Sequence, residues 1–522
     1  MKLAGKRYLA QFLSLLGICL GDYVFANQTS SLPNIVIILA DDMGYGDVQY
    51  LNPQSKTLTP AIDKLAQNGI VFTDAHASAS VCTPSRYGLL TGRYAFRSPK
   101  AANGIWGFDG PVIEPDRETL ASMLQKAGYT TACIGKWHLG IGWQTKNDGD
   151  KPALDKSTGF SNVDYSKNVS SGPNDYGFDY SFIHPASLDI PPYVFIKNHE
   201  VVDKDIILTT DHYPSRKPDT QYAWDKKHTD SMDIYWEKGI WWRRGEMSRS
   251  FRIEDCHSVI VNEGVDFINR QAANNSGNPF FLYLPLTGPH TPWMPSEKFK
   301  GKTTIGAYGD FVMDIDDVVR KISAALEANS LDSNTILIFT SDNGAYWPEE
   351  EIELQQHDSN AGRRGQKGDI WEGGHRIPLI ITWPEKVKQP YRYNHLVSLT
   401  DLFSTFKELS EQVDNISNTN DSYSFLHALK SVKNAPVRPN MIHHSSKGMY
   451  AIRKDNWKYI DGLGSGGFTD PSTITPENDG PRGQLYDLNF DETESHNRYQ
   501  NSPDIVATLK STLEEVINHG AS

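Results

Sequence analysis

Cys82 opens the stretch Cys82-Thr-Pro-Ser-Arg-Tyr-Gly-Leu-Leu-Thr-Gly-Arg93, with Pro84 two residues on and Arg86 about one helical turn on. Proline suits the first turn of a helix, where its missing N–H costs nothing. Cys82 is therefore expected at a helix N-terminus, whose free amides and dipole favour bound anions. Arg86 adds a fixed positive charge at the same end. A nucleophile directed at an anionic ester needs such a place. A lone cysteine is also a common buried structural thiol, so the assignment depends on the residues that accompany it.

Several stretches do. The apolar run Asn34–Ala40 ends in Asp41-Asp42, and the apolar run Thr335–Thr340 ends in Ser341-Asp342-Asn343-Gly344. Carboxylates at the C-terminal ends of core strands lie where open α/β sheets bind their ligands. Two such ends from one sheet point to one ion between them. Acids and an amide, without sulfur or imidazole, suit a hard cation, calcium before magnesium. Lys136 and His138 follow another predicted strand in Gly135-Lys-Trp-His-Leu-Gly140, and their two-residue spacing reads as one extended face. His290 lies in a stiff loop between Pro289 and Pro292, and Lys367 between Gly365 and Gly368 in the glycine-rich run Gly362–Pro378. Ser187-Leu-Asp189-Ile-Pro-Pro-Tyr193 and Trp241-Trp-Arg243-Arg244 offer Ser187, Asp189, Arg243 and Arg244 as substrate contacts, with Lys226-Lys-His228 a further basic cluster.

Taken in this order along the chain, Asp-Asp, Cys-x-Pro-Ser-Arg, Gly-Lys-Trp-His, Pro-His-x-Pro, Ser-Asp-Asn-Gly and the lysine-bearing glycine-rich segment resemble the type I formylglycine-dependent sulfatases. The resemblance covers nearly the whole mature chain. It implies that Cys82 is oxidised to formylglycine by a formylglycine-generating or anaerobic sulfatase-maturing enzyme. It implies one calcium held by Asp41, Asp42, Asp342 and Asn343, with the modified residue 82 completing the site. Arg86 would hold the nucleophile, and Lys136, His138, His290 and Lys367 would surround the sulfate. In that scheme the aldehyde hydrate attacks sulfur, His138 is the base that re-forms the carbonyl, and His290 with Lys367 serves the leaving oxygen. The 187–193 stretch and Trp371-Glu-Gly-Gly-His-Arg look like exported bacterial sulfatases of algal polysaccharides, carrageenan-type galactans included, so the expected partner is a sulfated oligo- or polysaccharide. Two other readings stay open. One is a phosphodiester or phosphonate hydrolase of the same superfamily, although a second-metal histidine set is not apparent. The other is a non-catalytic sulfated-glycan binder, if Cys82 stays a thiol.

The elements that must position these residues alternate strand and helix. The expected fold is α/β, a large mixed and mostly parallel sheet sandwiched by helices (alkaline phosphatase-like), with a smaller C-terminal antiparallel-sheet α+β subdomain. Helices are predicted over Thr57–Gly69, around Leu120–Leu124, through Val261, Val265 and Ile268, through Val312–Leu326, over Asp401–Leu409, and from Ile505 to Val516. Strands are predicted at 130–134, 280–284 and 379–383, with short ones at 450–453, 457–460 and 484–488. Residues 141–250 read as an irregular, aromatic-rich insertion that shapes substrate. Gly462-Leu-Gly-Ser-Gly-Gly467 matches a dinucleotide fingerprint formally, but no helix follows and it reads as a loop. The expected division is 1–26 signal peptide, 27–434 catalytic domain and 435–522 C-terminal subdomain.

Lys2, Lys6 and Arg7, the apolar run Leu9–Leu20 and Val24-Phe-Ala26 form a secretory signal, so the mature protein is expected to be exported, periplasmic or secreted. No later segment reads as a membrane helix. Of 522 residues 38% are hydrophobic and 22% charged, ordinary for a globular chain. The net charge of −13 argues against nucleic acid or an anionic membrane as a partner. An anionic substrate must then be drawn in by local cations. Beyond the signal stand Cys82, Cys133 and Cys256; the odd count sets Cys82 apart and leaves Cys133 and Cys256 to pair or stay free.

Overall fold

The computed structural model describes residues 32–214, 225, 229–274, 277–410, 421–430 and 435–519. The expected signal segment and Lys226-Lys-His228 lie outside the described residues.

Strand β1 (Asn34–Asp41) is buried from Ile35 onward. Its Ile35, Ile37 and Leu39 join one core layer, and Val36, Ile38 and Ala40 join another. A strand apolar on both faces must lie inside a sheet covered on both sides. That sheet has ten strands. Besides β1 they are β2 (Ile70–Phe72), β3 (Thr130–Lys136), β4 (Tyr180–His184), β5 (Ile196–Lys197), β6 (Glu200–Val201), β7 (Phe280–Pro289), β8 (Thr335–Ser341), β9 (Leu379–Thr382) and β10 (Tyr391–Tyr393). Their spatial order is β10-β2-β9-β8-β1-β7-β3-β4-β5-β6. The central run β8-β1-β7-β3-β4 is parallel, while β9, β5 and β6 join antiparallel. Helices α1 (Pro60–Asn68), α4 (Cys256–Asn274) and α5 (Ala307–Ala328) pack on the Val36 face. Helices α2 (Cys82–Thr91), α3 (Leu120–Lys126) and α6 (Asp401–Leu409) pack on the Ile35 face. This is the sandwiched sheet that the alternating pattern predicts. Helices α1, α3, α5 and α6 start or end close to their predicted bounds, because capping residues such as Pro60 and Gly69 are local signals, whereas the helix Glu349–Gln355 was not expected.

Against β7, the register of β1 slips between Leu39 and Asp41. Pairing resumes at Asp41 with Pro289, and such a bulge re-aims the side chains beside it, which turns Asp41 and Asp42 out over the sheet's C-terminal edge. The insertion is more regular than expected. It holds β4–β6 and an antiparallel hairpin of Asp233–Glu237 with Ile240–Arg243. These strands have two to five residues, too short to leave a periodic signature.

A separate four-stranded antiparallel sheet follows, β11 (Met441–His444), β12 (Tyr450–Lys454), β13 (Trp457–Ile460) and β14 (Gln484–Asp487). Helix α7 (Pro503–His519) closes a small core around Ile442, Ile452, Tyr459, Leu485, Leu509 and Leu513. Strand β11 was not expected, because His443 and His444 mask it. Both are buried; His443 stacks on His375 at 3.7 Å between centroids. Nearby, Asp74, Glu372 and Glu494 face Arg376, Arg453 and Lys458 in buried ion pairs, such as Lys458 with Glu494 at 2.9 Å. Three acids against three bases leave no net buried charge, the condition under which such a seam is tolerated. It ties the Gly-Gly-His-Arg end of the Lys367 segment to the C-terminal sheet. Gly462, Gly464 and Gly466 have φ of +148°, +97° and +62° in an irregular turn, so the formal fingerprint is a loop. Cys133 and Cys256 are buried free thiols, so neither pairs. Among the described residues no helix is long and apolar enough to cross a membrane.

Candidate active site

The carboxylates come from two adjacent strand ends. Asp42, with φ of +65°, follows β1, and its backbone N–H donates to Asp342 Oδ1 at 3.2 Å. Asn343 Nδ2 donates to Asp42 Oδ1 at 2.7 Å. Asp41, Asp42, Asp342 and the Cys82 sulfur offer ligand atoms that all lie within 4.8 Å of one another. The turn after Asn343 is tight. A Cβ on Gly344 would lie 1.8 Å from the Gly373 carbonyl oxygen, which the backbone must move to relieve. Gly344→Ala should therefore destabilise the fold by about 1–3 kcal/mol and lower activity further than that loss explains. Thermal unfolding and turnover measured on one preparation check both.

Cys82 is the first residue of α2, with Val81 extended before it. Its Sγ sits 3.4 Å from Asp41 Oδ1 and 3.7 Å from Lys136 Nζ. Burial lifts the thiol well above its ordinary range, and Lys136 and Lys367 offset only part of that. A thiol so placed is not a ready thiolate. Arg86 is fully buried one turn on; Nε donates to Asp342 Oδ2 at 2.9 Å, and Nη1 to the Lys136 carbonyl at 2.9 Å. Burial pushes the Asp41 carboxyl up, but Lys136, His290, Arg86 and Lys367 together hold it well below the usual carboxylate range. Burial wins at Asp342, where Arg86 is outweighed with Asp41 and Asp42 adding repulsion, and its carboxyl is raised.

Lys136 ends β3 and its Nζ bridges Asp41 Oδ2 at 2.5 Å and Ser187 Oγ at 3.2 Å. The expectation that Lys136 and His138 share one extended face is corrected. The strand stops at Lys136, and His138 lies beyond it with φ of +53°. His138 is brought to the site by this turn, with Trp137 buried in the core beneath. His138 Nε2 lies 3.0 Å from the Ile105 carbonyl, which can only accept, so Nε2 carries the proton. Its Nδ1 is buried with no hydrogen-bond partner. Burial, with Lys136 and Arg86 adding to it, holds the ring well below the ordinary histidine range, so it is neutral. His290 Nδ1 faces the Thr291 carbonyl at 2.6 Å, leaving Nε2 3.7 Å from Asp42 Oδ2. Lys367 Nζ donates to Asp42 Oδ2 at 2.8 Å.

The cleft over this cluster has a lobe of 240 Å³ lined by Cys82, His138, Ser187 and Trp106, and one of 150 Å³ lined by Trp241, Tyr346 and Phe468. Asp189, His290 and Lys367 border both. Asp189 pairs with Arg243 Nη1, its Oδ1 is buried without a hydrogen-bond partner, and Arg243 stacks on Trp106 at 5.0 Å. Burial raises the Asp189 carboxyl, but Arg243 and His290 hold it below the usual range. Arg244 is not brought to the cleft, which corrects its grouping with Arg243: its Nη2 donates to the Ser157 carbonyl at 3.1 Å. Neighbouring residues along an extended chain point to opposite sides, so Trp241 and Arg243 face the cleft while Trp242 enters the core. Trp106, Tyr346 and Phe468 were missed. Trp106 is 56% exposed, an unusual setting for so large a ring, but nothing in its sequence neighbours marks it.

The donor set fits a hard cation. It consists of three carboxylates and an amide, and Asn343 Oδ1 is buried without a hydrogen-bond partner. A buried carbonyl oxygen left unpaired costs about 1–3 kcal/mol, a cost that a cation ligand would remove. Asp41, Asp42 and Asp342 formally cancel Arg86, Lys136 and Lys367, so a divalent ion would make the centre cationic, as an anionic ester requires.

The Sulfatase family profile matches residues 33–411. An N-acetylgalactosamine-6-O-sulfatase of Bacteroides thetaiotaomicron is 33% identical over 505 residues, covering 94% of each chain. A solved structure from work on glycosaminoglycan metabolism by the same species superposes with a TM-score of 0.76 at 31% identity, over 94% of this chain and all of that one. The structure of Ps i-CgsB with k-i-k-neocarrahexaose has a TM-score of 0.66 at 23% identity, over 94% of each chain, a likeness of fold. With the strand-end acids, the Cys82 helix and the surrounding cations, these matches establish that the chain belongs to the sulfatase family, as a type I sulfatase of the alkaline phosphatase-like superfamily and a sulfuric ester hydrolase.

Proposed function

We propose that this exported enzyme removes the 6-O-sulfate from an N-acetylgalactosamine-type sugar, alone or at an oligosaccharide end, with Cys82 oxidised to formylglycine and one calcium bound. The observation that carries this is the convergence on Cys82 of Arg86, Lys136, Lys367, His138 and His290 from separate stretches of chain. The nearly full-length match to an N-acetylgalactosamine-6-O-sulfatase favours that sugar over a carrageenan-type galactan, which becomes an arm of the test.

Calcium on Asp41, Asp42, Asp342 and Asn343 would offset the charge of the sulfate oxygens, and the oxidised residue would supply a nucleophile that no encoded side chain offers. The chain's own groups do the rest. Lys136 and Lys367 hold the nonbridging oxygens at fixed positions, so the stabilisation costs no reorganisation during reaction. Arg86 orients residue 82 from below. His138 Nδ1, an unshared lone pair on a neutral ring, takes a proton in the lobe that holds residue 82. His290 and Lys367 face the leaving oxygen at the junction of the two lobes. The Asp189 Oδ1 acceptor and Arg243 read a hydroxyl of the sulfated sugar, with Ser187 steadying Lys136 and His290.

Sulfate release from N-acetylgalactosamine 6-sulfate should exceed that from the 4-sulfate, from N-acetylglucosamine 6-sulfate, from sulfated carrageenan oligosaccharides and from the matching 6-phosphate. Comparable turnover of the phosphate would favour the phosphoester reading; release only from the galactan would overturn the sugar. Asp189→Asn should lower kcat/KM on the preferred sugar by roughly 10- to 100-fold, the worth of one charged hydrogen bond. An unchanged ratio between the 6-sulfated galacto and gluco sugars in that variant would remove Asp189 from sugar reading.

A further inference from the structure

His138 has a backbone conformation that residues other than glycine rarely adopt, with φ of +53°. Such a residue is strained unless its surroundings hold it in place. Three contacts do so here. Its backbone N–H donates to the Pro185 carbonyl at 3.1 Å, and its ring Nε2 to the Ile105 carbonyl at 3.0 Å. Its own carbonyl accepts from Thr83 Oγ1 at 3.1 Å. Pro185 and Ile105 contribute main-chain oxygens, which no substitution deletes. Thr83 is the side chain in the set.

Thr83 is the second residue of α2, directly after Cys82, and is fully buried. A threonine inside a helix often turns its hydroxyl back to the carbonyl four residues earlier. Thr91 of the same helix does this, donating to the Tyr87 carbonyl at 2.7 Å. Four residues before Thr83 the helix has not begun, and the hydroxyl instead reaches across to His138, 55 residues along the chain. The helix that carries the nucleophile position is thereby tied to the turn that carries the base. Cys82, Thr83 and His138 border the same 240 Å³ lobe, so the tie lies in the wall of the space where the two must meet.

We infer that Thr83 is a positioning residue for the reaction, its hydroxyl holding the left-handed turn of His138 so that Nδ1 faces residue 82. This rests on the proposed role of His138 as the base. In that scheme Nδ1 takes the proton of the hydroxyl left on residue 82. The O–H electron pair closes the carbonyl, and sulfate departs with the pair of the C–O bond that breaks. Proton transfer needs a heavy-atom separation of about 2.6–3.2 Å, and a displacement of about 1 Å can cost about 100-fold in rate. Sulfate transfer onto residue 82 precedes this step and uses Arg86, Lys136 and Lys367, whose hydrogen bonds go to Asp342, Asp41 and Asp42 and not to Thr83. Loss of the Thr83 hydroxyl should therefore slow release and spare transfer.

The test compares wild type, Thr83→Val and Thr83→Ser on N-acetylgalactosamine 6-sulfate. Rates are expressed per aldehyde-bearing chain, because residue 83 adjoins the cysteine that is oxidised. Thr83→Val keeps the branched shape and removes the donor. It should lower kcat by roughly 10- to 100-fold. KM should fall with it, leaving kcat/KM within about threefold of wild type, as expected when only a step after transfer is slowed. Peptide mass spectrometry of the quenched reaction should find more sulfate bound at residue 82 than in wild type. Thr83→Ser retains the hydroxyl and should stay near wild type in all three readings. Melting midpoints show whether each variant is folded, and Thr83→Ala replaces Thr83→Val if the latter is not. A folded variant without the hydroxyl that keeps the wild-type kcat overturns the positioning role. So does one whose kcat and kcat/KM fall alike with no sulfate bound, or a Thr83→Ser that fares no better. Each of these leaves the proposed substrate standing. Wild-type protein that bears no aldehyde, or releases no sulfate from this sugar, overturns the proposed function and the positioning role together.

Discussion

Cys82→Ser will leave a folded protein whose sulfate release falls by at least about 10⁴-fold, the order of loss when a catalytic nucleophile is removed. Serine matches cysteine in size, and the site is held by Arg86, Asp41 and Asp342 instead of by the sulfur, so stability should change little. The residual chemistry is informative. A serine hydroxyl in this position is still surrounded by Lys136, Lys367 and His138, and can be sulfated by the substrate. It lacks the second hydroxyl through which the oxidised residue would re-form a carbonyl and expel sulfate. Peptide mass spectrometry after exposure to substrate should find the residue 82 hydroxyl carried as a sulfate ester. The same measurement on the wild type should show the aldehyde in place of the thiol. Turnover within tenfold of wild type, or an unmodified thiol in a fully active enzyme, would defeat the scheme. The buried, protonated Cys82 is a poor nucleophile itself, which makes the two outcomes easy to separate.

Most of the candidate cluster was legible because six of its members follow strongly apolar strands. Asn34–Ala40, Thr130–Ile134, Phe280–Leu284 and Thr335–Thr340 announce themselves by continuous burial, and their C-terminal ends must converge in a parallel sheet. Asp41, Asp42, Lys136, His290, Asp342 and Asn343 are therefore placed by topology alone. His138 needed the left-handed turn beyond β3, which a two-residue spacing does not reveal. Arg244 was grouped with Arg243 by charge, although alternation along the strand separates them. Trp106, Tyr346 and Phe468 could not be found in advance. Each is a single aromatic in a loop, and its position depends on partners far along the chain, such as Asp369 for Phe468 and Arg243 for Trp106. The free state of Cys133 and Cys256 was equally hidden, since pairing depends on distance, not count.

Removing divalent ions should lower the melting midpoint and cut activity by about 10³-fold, and added calcium should restore both. The charge inventory gives the reason. Asp41, Asp42 and Asp342 crowd their oxygens within 4.8 Å of the Cys82 sulfur and of one another. Lys136 and Lys367 relieve this by pairing with Asp41 and Asp42 at 2.5 and 2.8 Å. Both lysines are thus engaged by acids, which in the proposed mechanism they would share with a sulfate. A divalent ion held by the carboxylates would take over that task and leave the ammonium groups for the substrate. It would also give a partner to Asn343 Oδ1, which is buried without one. A ligand present at 100 times its dissociation constant stabilises the folded state by about 2.7 kcal/mol, large enough to read as a shift in unfolding. Magnesium should do less, because it requires a stricter octahedron and gives up water reluctantly. Asp42→Asn keeps the side-chain size but removes one charge, and should shrink the calcium-dependent rise in the melting midpoint of the substrate-free protein. A wild type whose midpoint ignores both chelator and calcium would show that these acids hold the lysines and nothing else.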